Sequence, residues 1–358
     1  MQRHRCSGMA GAWRNSEAFM RFHLSRRRFV SLALQGGGAH GAFTWGVLDA
    51  LLEDGRFAIE GISGTSAGAM NAVVLAQGLL QGGNEGAREA LARFWEAVAD
   101  CAPMLNAGAD SESGRLATAI RVMLYWTRQF SPQQFNPYGI NPLRDIVGRQ
   151  IDFDRLRERC PLKLFIAATH ANSGRLRLFR TAELTADMLL ASACLPTLHH
   201  AILIDGEPYW DGAFAANPAI FPLVYEASSA DILLVLLSPF EHSQLPLTHE
   251  EIHHRTQELA FNSTLLRELH SLALARQFAR QTLWPGGRLE RRLARTRMHL
   301  IDTGDLVGRL AMESRLTTSR SFLEMLRDQG RARAGAWLSA HGDSVGKGAT
   351  ADIAKLFL

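Results

Sequence analysis

The stretch Gly64-Thr65-Ser66-Ala67-Gly68 constrains this chain more than any other. Before it, Ile59 to Ser63 reads as the end of a short strand, and after it Ala67 to Leu80 carries helical spacing. A serine caught between strand and helix sits on a tight, strained turn, and the flanking glycines remove the Cβ clashes that would forbid it. Its hydroxyl then projects outward at the positive end of the following helix. Such a corner presents a nucleophile, although the same five-residue pattern also occurs in ordinary loops.

Some thirty positions upstream, Phe29 to Leu34 alternates like a strand and runs into Gln35-Gly36-Gly37-Gly38-Ala39-His40-Gly41. Ala42 to Leu52 is then spaced as a helix, with Val47, Leu48, Leu51 and Leu52 along one face. Strand, glycine loop, helix, strand and serine turn make one right-handed βαβ unit, whose two parallel strands end on the same sheet edge. The loop and Ser66 are therefore expected to be neighbours. Attack by a serine on an ester places negative charge on the carbonyl oxygen, and consecutive glycines let backbone N–H groups approach that oxygen unobstructed.

A glycine-rich loop can instead cradle phosphate. Here no Gly-Lys-Ser/Thr follows the glycines, which excludes the Walker pattern. The three contiguous glycines depart from the usual dinucleotide-binding loop, although Gly36, Gly38 and Gly41 fall at its G-x-G-x-x-G positions, and no acidic ribose partner closes the second strand. A nucleotide cofactor is not expected.

A third element, Ile204-Asp205-Gly206-Glu207-Pro208-Tyr209-Trp210-Asp211-Gly212-Ala213, precedes Asn217-Pro218. Asp211 ends an apolar run and is followed by two small residues, a place from which a carboxylate can reach a neighbouring hydroxyl. Taken alone, Asp-Gly is usually a turn.

The three pieces together resemble the patatin-like lipid acyl hydrolases, in the order and separation of their motifs, from about Val30 to about Leu237. The resemblance implies a three-layer α/β/α sandwich with a mostly parallel central sheet and C-terminal helices packed on it. It also implies a Ser-Asp dyad of Ser66 and Asp211, an oxyanion hole at Gly36, Gly37 and Gly38, and motif glycines Gly41, Gly64, Gly68 and Gly212. Ala191-Ser192-Ala193-Cys194-Leu195-Pro196 matches the Ala-Ser-x-x-x-Pro stretch that precedes the aspartate motif in that family. The chain departs at His40, where many members carry arginine or lysine. The implied activity is hydrolysis of lipid esters without a metal or other cofactor. A soluble short-chain esterase or thioesterase, and a lipid-binding module without chemistry, are the alternatives.

Histidine also bears on the chemistry, because a Ser-His-Asp triad is the commoner use of such a serine. His242, His249, His253, His254, His270, His299 and His341 follow Asp211, but none lies in a Gly-His or Asp-x-His loop. The residues alone leave the triad open; the resemblance favours the dyad. The pairs His199-His200 and His253-His254 read as surface histidines, and neighbours on a helix diverge too far to share a metal.

Along the rest of the chain, residues 1–28 read as a flexible basic leader, 29–340 as the catalytic domain and 341–358 as a loose tail. Within the domain, 29–240 form the α/β core and 241–340 a helical part. Ser25 to Ser31 resembles a twin-arginine export signal, yet the uncharged stretch after its arginines, Val30 to Leu48, contains the first strand and the oxyanion loop, and cleaving it would destroy the site. Val30 to Leu48 is uncharged but too rich in glycine, with Gln35 and His40, for a membrane span. Cys6, Cys101, Cys160 and Cys194 show no paired spacing, which favours a reduced, cytoplasmic setting.

Between Pro103 and Pro142, Met104, Leu105, Met123 to Trp126, Phe130, Phe135 and Tyr138 are expected to form an inserted helical layer or an acyl-chain cover. Leu162 to His170 and Leu176 to Arg180 read as a hairpin, and Asp231 to Leu237 as a strand buried on both faces. Glu250 to Leu283 reads as a long helix with Leu259, Leu266, Leu269, Leu272, Leu274 and Phe278 on one side, followed by Met298 to Ile301 as an edge strand and Ser319 to Leu338 as a last helix. The formal net charge is +4, and Arg288, Arg291, Arg292, Arg295 and Arg297 cluster. An anionic membrane surface would attract that cluster. Nucleic acid is not an expected partner, since no binding module or interleaved aromatics accompany it.

Overall fold

The computed structural model describes residues 28–101, 131–238, 240, 245–281, 287–304 and 312–357. Within these, β1 (Arg28–Leu34), β2 (Phe57–Thr65), β3 (Lys163–His170), β4 (Leu176–Arg180), β5 (Ile202–Ile204), β6 (Glu207–Asp211), β7 (Asp231–Val235) and β8 (Arg297–Ile301) form one sheet. Five strands run parallel in the order β3-β2-β1-β7-β8, and β4, β6 and β5 are antiparallel additions at the β3 end. Parallel neighbours need a crossover, and helix α1 (Gly41–Asp54) supplies the one between β1 and β2.

Both faces of the sheet are covered, as strands of near-continuous aliphatic sequence require. Leu32, Leu34, Ile62, Leu164, Ile166, Leu233 and Val235 point to one side, where α1, α2 (Ala67–Asp100) and the late helix Arg320–His341 pack. Ala33, Phe165, Ile232 and Leu234 point to the other, against Phe221–Glu226, His249–Gln281 and Arg288–Arg295. The alternation of period two along each strand thus sets the three layers. Leu32, Leu34, Ile62 and Ile166 are wholly inaccessible, and each such side chain contributes roughly 1.5–3 kcal/mol over leaving it in water. The strand ends at the site are anchored by this core.

α2 is interrupted at Gly82 and Gly83, which leave helical geometry, so it consists of two segments joined at a kink, the first of them the helix expected from Ala67 to Leu80. The pairing registers along β3 determine which strand ends come together. Residues 165–167 of β3 pair with both β2 and β4, and residues 168 and 169 with both β4 and β6. A strand has two edges, so β2 and β6 share one edge of β3, meeting end to end above Ala167 and Ala168.

Several expectations need correction. Arg28, counted with the leader, is the first residue of β1; residues 1–27 lie outside the described residues. The tail from His341 is packed, not loose: Val345 and Ile353 are buried, Gly346 N–H donates to Asp231 Oδ1 at 3.0 Å, and Phe357 meets Phe240 edge-on. Small polar residues hid two apolar anchors. On the helix His249–Gln281 the buried stripe is Leu265, Leu269, Leu272 and Ala273, while Leu259, Leu274 and Phe278 are exposed. The expected set spread too far around the helix to form one face. Arg297 leaves the basic cluster to pair with Asp231, and Arg292 Nε donates to Val224 O at 2.9 Å. Arg288, Arg291 and Arg295 are exposed. His199 and His200 are half-buried. The layer or cover expected from Pro103 onward lies, through Phe130, outside the described residues. No helix among the described residues is long and apolar enough to cross a membrane.

Candidate active site

Ser66 leaves β2 with φ 54° and ψ −121°, a backbone conformation that side chains other than glycine rarely adopt. Such strain persists only where surroundings over-determine it, and here they do. Ser66 N–H donates to Ser192 Oγ at 3.0 Å, its carbonyl accepts Met70 N–H at 3.0 Å, and Thr65 Oγ1 donates to Ala216 O at 2.9 Å. The corner also closes because its glycines admit backbone. A Cβ at Gly64 would stand 2.6 Å from Gly68 O, and one at Gly68 would overlap Leu34 O. Ser66 thereby stands at the N-cap position of α2, and its side chain makes no capping bond to the first helical N–H groups.

The glycine loop lies against this corner, as a right-handed βαβ unit requires. A Cβ at Gly36 would meet Thr65 O at 2.7 Å and Ser66 Cβ at 2.8 Å. Gln35 anchors the loop from behind: its Oε1 accepts Leu237 N–H at 2.7 Å and Ser238 N–H at 3.1 Å, and its Nε2 donates to Asn262 at 2.8 Å. Of the three N–H groups expected to face an oxyanion, that of Gly36 already donates to Asn217 Oδ1 at 2.7 Å. Among the described residues, no hydrogen bond is formed by the N–H of Gly37 or of Gly38. Gly38 takes φ 60°, beside Arg315 O. Gly41 opens α1 against α2; its carbonyl accepts Asn71 Nδ2 at 3.0 Å, and Asn71 Oδ1 accepts Trp95 Nε1 at 3.0 Å.

Asp211 arrives from the opposite direction at the end of β6. It is 1% exposed. Its N–H donates to Cys194 O at 2.8 Å, its carbonyl accepts Thr169 Oγ1 at 2.8 Å, and its Oδ1 accepts Ala213 N–H at 2.8 Å. Gly212 packs so closely on Ala167 O that a Cβ would overlap it. Burial raises the Asp211 carboxyl to about 6, against the opposing pull of the Ala213 N–H and the Ser66 hydroxyl. Asp211 Oδ2 is buried and accepts no hydrogen bond among the described residues. A buried carboxylate with a free oxygen beside a strained serine can take a proton from it.

His40 is buried; its Nε2 lies 2.7 Å from Ser314 Oγ, and its ring tilts against Phe322. Among the described residues, neither Ser66 nor Asp211 bonds to a histidine. His299, buried on β8, bonds instead to Asp231 at the start of β7. Two residues at the corner carry no assignment from the spacing of motifs: Ser192, at the end of the short helix Ala186–Ser192, and Asn217. Their bonds link segments far apart in sequence; the sequence marks Ser192 only as the serine of the Ala-Ser-x-x-x-Pro match, without a role, and Asn217 only by its place after Asp211-Gly212.

A family model described as patatin-like phospholipase matches residues 32–224, just over half of the chain. Among solved structures, VipD from Legionella pneumophila is similar at 18% identity and TM-score 0.42, covering 88% of this chain and 67% of that one. Full-length ExoU from Pseudomonas aeruginosa, solved with SpcU, is similar at 16% identity and TM-score 0.29, covering 89% and 79%. Among curated proteins, none matches.

Proposed function

The chain belongs to the patatin-like phospholipase family, and we propose that it is a serine acyl hydrolase of lipid esters working through a dyad of Ser66 and Asp211. At family level the activity is lipid acyl hydrolysis. In the proposed cycle the Ser66 hydroxyl attacks the ester carbonyl while Asp211 accepts its proton. The N–H groups of Gly37 and Gly38 hold the oxygen that becomes negative. Collapse of the tetrahedral intermediate expels the alcohol, which takes the proton from Asp211. Water, activated by the same carboxylate, then releases the fatty acid and restores Ser66.

One observation carries this reading: a 1% exposed carboxylate with an unpartnered oxygen, at the strand end that meets the end carrying a serine at φ 54°. A carboxylate is a weak base for an alcohol, and exclusion of water compensates by raising its proton affinity. The reading is tested by assaying a panel of phospholipids and neutral lipids with wild type beside Ser66→Ala. Release of fatty acid by the first and not the second is expected. Faster turnover of short p-nitrophenyl esters than of phospholipid vesicles would instead favour the soluble esterase or thioesterase. A folded protein that neither hydrolyses esters nor reacts with a fluorophosphonate would be a lipid-binding module. Exposed Arg288, Arg291 and Arg295 support peripheral contact with anionic membrane, which co-sedimentation with phosphatidylserine vesicles, compared with phosphatidylcholine, would test.

A further inference from the structure

We infer that Asn217 is a positioning residue that sets the oxyanion loop against the nucleophile, an inference that rests on the serine hydrolase reading. Three segments converge on Gly36. The place its Cβ would occupy is 2.8 Å from Ser66 Cβ, 2.7 Å from Thr65 O and 3.2 Å from Asn217 Oδ1. Among the described residues, the only bond across this junction that reaches the loop backbone from the aspartate segment is Gly36 N–H to Asn217 Oδ1, 2.7 Å long and buried. The loop, the corner and the acid's own segment are thereby tied at one point.

The segment that carries Asn217 is itself short and braced. Ala215 and Ala216 N–H both donate to Gly212 O, at 2.9 and 2.8 Å, and Ala216 O accepts Thr65 Oγ1. Farther on, Ile220 and Phe221 N–H donate to Glu268 Oε1 on the long helix His249–Gln281. Asn217 therefore transmits a fixed position, because both its anchor to Thr65 and its anchor to the long helix are within four residues. Asp211 and Asn217 lie at the two ends of this braced turn, so the acid and the loop share a frame.

Peptide groups are planar, so fixing the Gly36 N–H fixes the plane of the Gln35–Gly36 peptide. Gln35 already holds the preceding side. Glycine runs are otherwise free to turn, and freely turning N–H groups stabilise an oxyanion poorly because orienting them costs energy during the reaction. Asn217 removes that freedom beforehand. Its orientation is set by chemistry: an N–H donor requires the oxygen end, which leaves Nδ2 as the other end, buried and without a partner among the described residues. A loop held in this way matters when the carbonyl oxygen becomes charged, more than when substrate first binds.

The test compares wild type, Asn217→Ala, Asn217→Asp and Ser66→Ala. The readouts are kcat and KM on phospholipid in mixed micelles, melting temperature, and inhibition by an alkyl trifluoromethyl ketone. That ketone bonds to the serine oxygen and leaves its own oxygen as an anion in the loop. Asn217→Ala is expected to lose about 10–100-fold in kcat with KM within about twofold, and to weaken the ketone by a similar factor. Asn217→Asp keeps an oxygen for the Gly36 N–H in either protonation state, and is expected to recover at least about tenfold over Asn217→Ala. Wild-type kcat and ketone affinity in Asn217→Ala would overturn the inference, as would a folded Asn217→Asp no faster than Asn217→Ala. If Asn217→Ala does not fold, Asn217→Asp decides alone: activity within about tenfold of wild type supports the role, and a folded protein as slow as Ser66→Ala overturns it. Should wild type match Ser66→Ala on every ester, the hydrolase reading itself falls, and this inference with it.

Discussion

Thr65 and Asp211 face consecutive residues of one strand: Thr65 pairs with Ala167 and Asp211 with Ala168. β2 runs up one edge of β3 in parallel, β6 runs down the same edge antiparallel, and the two meet head to head. Ser66 is the first residue past one end and Asp211 the last before the other. A single backbone register, held by buried Ala167 and Ala168, therefore determines how near the hydroxyl and the carboxylate stand.

Asp211→Asn is expected to abolish most turnover while raising the melting temperature. The carboxylate is lifted to about 6 because burial disfavours its charge, so removing that charge relieves a native-state penalty of up to about 3 kcal/mol at neutral pH. Thermal denaturation at pH 8 and a lipid assay on the same samples check both halves. A variant that is active, or that melts well below wild type, contradicts the account.

The pH dependence follows from the same group. As the proposed base it must be ionised, so kcat/KM is expected to fall about tenfold per unit below a midpoint near 6. Stability runs the other way. A carboxyl whose folded value, about 6, exceeds its ordinary 3.8 binds its proton more tightly when folded. Its contribution therefore becomes more favourable as pH falls through that window. Melting curves of wild type and Asp211→Asn at pH 5 and pH 8 should converge at the acid end and separate at the other.

Ser192→Ala removes the acceptor of the Ser66 N–H, a bond of 3.0 Å in a buried site. An orphaned buried N–H costs about 1–3 kcal/mol, and a corner strained to φ 54° is expected to relax when it loses that support. Urea unfolding should show the destabilisation and the lipid assay a drop in kcat. Unchanged values in both would mean that the corner is held by other contacts.

Asp231→Ala tests the opposite end of the sheet. Burial alone would raise this carboxyl, but hydrogen bonds from Arg297, His299 and Gly346 outweigh it and hold the group well below the ordinary carboxylate range. Depressed in this way, it stabilises the fold above the usual aspartate range, and that stability is lost as pH falls below it. Breaking the cluster is expected to cost roughly 3–5 kcal/mol and to loosen residues 342–357, which protease sensitivity of the C-terminal segment would report. Catalytic rate on the folded protein should change little, because the cluster starts β7 while the candidate site lies at the strand ends.

Much of this frame was legible because it is written locally. Alternation in Phe29 to Leu34, the glycine run, helical spacing after it and the small residues around Ser66 each report on their own neighbourhood. What escaped depends on distance. Asn217 and Ser192 act through bonds to Gly36 and Ser66, which leave no periodicity behind. The β5–β6 hairpin had a signal in Asp205-Gly206, both at positive φ, but Pro208 interrupts the alternation that would have marked β6 as a strand. That the Gly36 N–H is taken follows from its partner, not from the glycine itself.

The most direct test of the central claim is mapping of a fluorophosphonate adduct by mass spectrometry, with labelling rates for wild type, Ser66→Ala and Asp211→Asn. A single adduct on Ser66 is predicted, absent from Ser66→Ala and formed at least about a hundredfold more slowly in Asp211→Asn. An adduct on another residue, or labelling of Asp211→Asn at the wild-type rate, would contradict the pairing of this serine with this acid.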